Sequence, residues 1–221
     1  MDIHHPHAPL TFLSLGQAAE VEVSIEKSRF LGYIQTVTSV DQAQDRLREL
    51  RQEHPQATHV VPAWVIGPGG LEMRTSDDGE PHGTAGPPML EILKRENITD
   101  CLLVAVRYFG GIKLGTGGLT RAYRQVAKES LEAAGIATWV KSRRLYLTIP
   151  YPLQGLFEHR LSESPWLLEE TRYDVAVHHH LIVPAEQAEA IQDQLIDWSH
   201  GQGEVTLGEL LYQPIEKASR S

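Results

Sequence analysis

The run Cys101-Leu102-Leu103-Val104-Ala105-Val106 has no polar residue to turn toward solvent, so residues 101 to 108 read as the most deeply buried strand of the chain. The next segment fixes a second element beside it. Beyond Gly110, Gly111, Gly115, Gly117 and Gly118, the residues Leu119, Tyr123, Val126, Ala127, Ser130, Leu131 and Ala134 fall on one helical face, and Gly135 suits the C-terminal cap. A buried strand, a glycine-rich turn and an amphipathic helix in that order call for a sheet with helices packed on it.

The rest of the chain supplies that sheet. Val21, Val23 and Ile25 alternate, a second strand spans residues 30 to 37, and the two form a hairpin. Ser39-Val40-Asp41-Gln42 matches a capping box, and Ala43, Leu47 and Leu50 recur at helical spacing until His54-Pro55 stops the helix. A strand over residues 59 to 66 turns at Gly67-Pro68-Gly69-Gly70 and returns over residues 71 to 75; Met89, Leu90 and Leu93 then mark a helix. Residues 18–140 therefore read as one domain of order ββαββαβα. Residues 141–213 read as βαββαβ, the ferredoxin-like plan, with Pro184 opening its last helix and Gly201-Gln202-Gly203 releasing the chain into a strand over residues 204 to 212. The expected fold class is α+β, two α/β sandwiches, flanked by a loose tail over 1–17 and a second over 214–221.

Charge restricts function more by its placement than by its sum. The chain carries 20 Lys and Arg against 29 Asp and Glu, a net charge of -9, which opposes coating nucleic acid through net charge alone. Yet residues 101 to 144 hold eight cations and two acids, whereas residues 145 to 221 hold four cations and twelve acids. No apolar run reaches the roughly 18 residues of a membrane-spanning helix and no signal peptide is visible, so the expected location is cytoplasmic, with no membrane partner. The single cysteine, Cys101, sits in the buried strand and reads as a core thiol rather than a nucleophile.

Two loops could carry chemistry. Ser76-Asp77-Asp78-Gly79-Glu80-Pro81-His82-Gly83-Thr84-Ala85-Gly86-Pro87-Pro88 places three carboxylates on a backbone held by glycine and proline. Asp77, Asp78 and Glu80 could ligate Mg²⁺; alternatively the acids pair internally with cations such as Arg107 and Lys113. In the second loop, Arg107 to Tyr123, the turn and helix start aim free N–H groups at one spot, with Lys113 and Arg121 adding charge. No Gly-Lys-Ser/Thr closes it, so it is not a Walker A sequence, and Thr120 stands where the dinucleotide fingerprint needs glycine or alanine. Arg121, Arg124 and Lys128 share a helical face opposite the apolar stripe and could either track a phosphate backbone or simply be solvated. In His178-His179-His180, strand alternation sends the first and third to one face and the second to the other, and surface or half-buried histidines are favoured over a metal site.

Three segments, Lys27-Ser28-Arg29-Phe30, Ser76 to Gly86 and Arg107 to Tyr123, together resemble the signature of the YigZ/IMPACT family. The resemblance covers residues 18 to 135. It implies a ribosomal-protein domain-2-like first domain similar to domain IV of elongation factor G, and a ferredoxin-like second domain similar to its domain V. RNA or the ribosome, or a translation-regulatory protein, is the partner this implies. It also draws attention to His59 and His82. Members often carry a cysteine two residues after the histidine that matches His59; Val61 stands there in this chain, which excludes a thiol nucleophile at that place. The leading expectation is a non-enzymatic RNA- or ribosome-associated protein. Its rivals are a Mg²⁺-dependent enzyme acting on a phosphorylated or nucleotide substrate and a protein-partner adaptor.

Overall fold

The structure, a computed structural model, describes residues 9–67 and 69–215. It divides into two compact units, one built mainly from residues 9–139 and one from Val140–Gln213. Among the described residues no helix is long and apolar enough to cross a membrane.

The first unit contains β1 (Thr11–Leu15), β2 (Ala19–Ile25), β3 (Ser28–Thr36), α1 (Val40–Glu53), β4 (His59–Ile66), β5 (Glu72–Thr75), α2 (Gly86–Arg95), β6 (Cys101–Tyr108) and α3 (Gly115–Ala134). From β2 onward this is the order ββαββαβα. An antiparallel sheet runs β2-β3-β6-β4-β5, with β6 at its centre. The uninterrupted apolar character of β6 follows from its position. Cys101, Leu103 and Ala105 pack with α2 and α3, while Leu102, Val104 and Val106 pack with Ala43 and Leu50 of α1 on the opposite face. A strand covered on both sides has no solvent face to fill with polar residues. Helix α1 starts where the capping box placed it, Ser39 Oγ accepting from Gln42 N at 3.2 Å.

The second unit takes β7 (Ile136–Ile149) from Val140 onward, then α4 (Gln154–Ser162), β8 (Leu167–Tyr173), β9 (Val177–Pro184), α5 (Ala188–Trp198) and β10 (Glu204–Ile215). Its strands lie in the order β10-β7-β9-β8, the ferredoxin-like arrangement. Leu145, Leu147, Ile149, Val177, Leu181 and Val183 form a core with Phe157 and Leu161 of α4 and Ile191 and Leu195 of α5. The two units are thus an α+β pair.

Two stretches read as tails contain strand. Thr11–Leu15 pairs with β7, Leu15 is fully buried, and Trp139 Nε1 donates to the Leu15 carbonyl at 2.9 Å. Five residues give too little alternation to recognise, and their partner lies far along the chain. At the other end β10 continues through Pro214 to Ile215. The histidines of residues 4, 5 and 7, and residues 216 to 221, lie outside the described residues.

Candidate functional site

The acidic loop and the glycine-rich stretch meet at a buried ion pair. Glu80 Oε1 accepts from Arg107 Nη1 at 2.6 Å, and the two side chains are only 3% and 5% exposed. Tyr123, from α3, donates its hydroxyl to the same oxygen at 2.8 Å. Burial, reinforced by the Glu80 carboxylate, pushes the Tyr123 hydroxyl far above the usual phenol range, so it stays a donor. Arg107 Nη2 donates to Ser28 Oγ at 3.3 Å, and the guanidinium lies against the rings of Phe30 and Phe109, 5.4 and 5.5 Å from their centroids. Phe30 in turn meets Tyr123 edge to face at 5.4 Å. Arg107 Nε is buried without a partner among the described residues.

Each carboxylate of the loop has its own task. Asp77 Oδ1 accepts from Ala85 N and Gly86 N at 3.0 Å each, and Oδ2 from Gly83 N at 2.8 Å. The Ala85 and Gly86 donors sit at the start of α2, whose N-cap, Ala85, offers no side-chain acceptor, while Pro87 and Pro88 have no N–H to satisfy. Asp77 therefore caps α2 from eight residues upstream. Gly86 is required there, because a Cβ would come within 2.0 Å of Thr75 Oγ1 and 2.5 Å of the Ser76 carbonyl oxygen. Asp78 accepts from Val60 N and from Arg51 Nη2, both at 2.7 Å. His59 Nδ1 donates to the Asp78 carbonyl at 2.7 Å, which leaves Nε2 facing Glu80 Oε2 at 3.7 Å. His82 is fully exposed, 3.8 Å from Asp77. Among the described residues no three His, Cys, Asp or Glu side chains are grouped so as to hold a metal ion.

The glycine-rich stretch differs from the acidic loop in having donors left over. Helix α3 begins after Leu114 with no side-chain cap and no acid in its first turn, so its leading N–H groups face outward around exposed Gly115 and Gly117 and half-buried Gly118. Gly110 is fixed against the β2–β3 turn; a Cβ there would stand 1.9 Å from the Lys27 carbonyl oxygen. Gly111 takes φ 88°, in the left-handed region. Lys113, Arg121 and Lys128 are exposed and form no salt bridge among the described residues. Arg121, Arg124 and Lys128 line one shallow groove together with Gln125, Glu129 and Glu132.

The basic segment is smaller in space than along the chain. Arg107 is buried on Glu80, Arg124 pairs with Glu91, and Arg144 belongs to the second unit, where it bonds Glu169 and Glu209. His179 is buried on the helix side of its sheet, its Nδ1 2.9 Å from Thr171 Oγ1, while His178 and His180 take the other face. Cys101 is buried and its thiol is pushed up by burial, as fits a core residue. Ser28 and Tyr123 are the cluster members that residue-type reasoning passed over. Both lie inside the resemblance segments, and that was the available signal.

Comparison with known proteins settles the kinship. The Impact N-terminal domain family fits residues 26–131, and a domain of unknown function, DUF1949, fits residues 147–202. The IMPACT family member YvyE of Bacillus subtilis is 37% identical over 94% of this chain and 95% of its own length. The chain belongs to the IMPACT family. Among other IMPACT relatives, YigZ of Escherichia coli is 32% identical over 89% of this chain and 93% of that protein. The Saccharomyces cerevisiae protein IMPACT homolog is 29% identical over 54% of this chain and 47% of its own length. A solved structure described as a crystal structure of a hypothetical protein superposes with a TM-score of 0.60 at 31% identity, covering 89% of this chain and 97% of that one. In this IMPACT member the three signature segments deliver Ser28, Glu80, Arg107 and Tyr123 to one buried cluster. Part of the signature is therefore a packing requirement.

Proposed function

We propose that this IMPACT-family chain is an RNA- or ribosome-associated protein that holds phosphate groups at the start of α3 and along its outer face, and that it modulates translation through that contact. The observation carrying this reading is the contrast between two glycine-led helices. Asp77 fills the N-terminus of α2, whereas that of α3 is uncapped and accompanied by Lys113, Arg121 and Lys128, none of which has a carboxylate partner among the described residues. An uncapped helix start with free cations attracts phosphate oxygens. The Mg²⁺-dependent alternative has less support, since the loop oxygens it would use already accept backbone, Arg51, Arg107 and Tyr123 donors.

Binding measured against salt tests the proposal. Arg121→Ala/Lys128→Ala should weaken RNA binding uniformly across sequences and lower the log-log salt slope by about two, one for each phosphate contact removed. Arg124→Ala, already paired with Glu91, should change the slope less. Wild-type binding that is unaffected by salt, or a double variant indistinguishable from wild type at low salt, would rule the placement out.

A further inference from the structure

Phe109 is a large apolar side chain left 46% exposed at the end of the central strand, with Ile112 nearby in sequence at 39%. Its backbone is not free to withdraw it. Phe109 N donates to Thr58 Oγ1 at 3.0 Å, Gly110 N donates to Ser28 Oγ at 3.3 Å, and Gly110 is pressed against the Lys27 carbonyl. One side of the ring is backed by the Arg107 guanidinium, whose charge Glu80 balances. The ring is thus the outermost member of a chain of contacts, Tyr123 to Phe30 to Arg107 to Phe109, that stiffens it from the core outward.

The neighbouring turn has a second unusual feature. Glu26 and Lys27 form the two-residue link between β2 and β3, with φ 46° and 65°. Such turns favour Asn-Gly or Asp-Gly, because other side chains are strained at positive φ. Here the strained position keeps an exposed lysine beside Gly110, and Lys27, like Lys113, has no carboxylate partner among the described residues. A rigid, one-sided aromatic ring, with Lys27 on the turn that packs against Gly110 and Lys113 four residues beyond Phe109 along the chain, matches the requirements of an unpaired nucleobase and its flanking phosphates.

We propose that Phe109 is a stacking platform for an unpaired nucleobase, with Lys27 and Lys113 receiving the adjoining phosphates, so that the first unit selects single-stranded over double-stranded RNA. This rests on the RNA-binding reading above. A duplex keeps its bases stacked on one another and offers Phe109 no free face, so the residue should matter for single strands alone.

The experiment uses the full chain with labelled oligo(A) and an RNA duplex of equal length as probes, at low salt. Phe109→Ala should lose roughly 5- to 100-fold in affinity for oligo(A), the range of one stacked base, and leave duplex affinity unchanged. Phe109→Trp should retain oligo(A) binding and show fluorescence quenching on titration that wild type, with its own four tryptophans, does not. Unchanged hydrogen exchange on peptides covering β6 in Phe109→Ala shows that any loss is not unfolding of the first unit. Equal oligo(A) binding by wild type and Phe109→Ala overturns the platform while leaving the phosphate site standing. So does an equal loss for both probes. Wild type that binds neither probe overturns the platform together with the reading beneath it.

Discussion

The Glu80–Arg107 pair should dominate the stability of the first unit. Glu80→Gln keeps an oxygen for Arg107 and for the Tyr123 hydroxyl but removes the countercharge of a guanidinium whose side chain is 5% exposed. Arg107 would retain a neutral bond to Ser28 and a buried Nε with no partner. Breaking one side of a buried ion pair costs about 3–5 kcal/mol, because the remaining charge stays desolvated. Since the chain has two units, a single melting curve mixes them; hydrogen exchange on peptides covering β6 reads the first unit alone. Its slowest amides should lose roughly two to four orders of magnitude of protection in Glu80→Gln. Glu80→Gln/Arg107→Met removes both charges, and its protection should recover most of the way, since an apolar chain fits against Phe30 and Phe109. A fall of less than tenfold in the single variant, or a double variant no better than the single, would refute the claim that countercharge holds this cluster together.

Other expected outcomes rest on single contacts. Asp77→Ala removes the acceptor for three backbone N–H groups and should destabilise the first unit by about 1–3 kcal/mol, seen as increased exchange at the start of α2. Gly110→Ala forces a Cβ against the Lys27 carbonyl and should cost about 1–3 kcal/mol in urea denaturation, although the residue is not in a core. His179 is held neutral by burial, so its folded pKa lies below its unfolded value of about 6.5. The unfolded state then binds the extra proton first, and the second unit should keep full stability above about pH 6.5 and lose it as pH falls from there toward the folded pKa. His179→Leu should flatten that acid slope, measured by exchange on peptides covering β9.

The order of elements was legible because each carries a local signal: alternation in β2, the cap of α1, the apolar run of β6 and the glycine at the end of α3. β1 gave none, since its stability comes from pairing with β7 more than a hundred residues away. The candidate site was legible only in outline. The sequence supports a meeting of the acidic and glycine-rich loops, but it leaves open which cations the acids take. Lys113 and Arg107 are equally plausible partners on paper; the β3–β6 register places Arg107 opposite Phe30, where its side chain reaches Glu80. Counting cations along residues 101 to 144 also overstated the basic surface, because a count cannot register that Arg107 is internal or that Arg144 faces two glutamates in the second unit.

That redistribution of charge removes an apparent conflict. Three carboxylates near a phosphate site would repel the ligand if their charge were free, since two like charges at a protein surface interact by several kcal/mol at about 4 Å. Here the Asp77 charge is spent on the N–H groups and dipole of α2, Asp78 on Val60 N and Arg51, and Glu80 on Arg107 and Tyr123. The acids are matched locally, each by a donor on a different element, so the same bonds that silence them also tie the loop to α1, α2, β4, β6 and α3. Among the cations without a carboxylate partner among the described residues are Lys27, Lys113, Arg121 and Lys128, in or beside the glycine-rich stretch and along α3. A net charge of -9 is therefore compatible with a phosphate-binding surface on this chain, provided binding is local and weakens with salt.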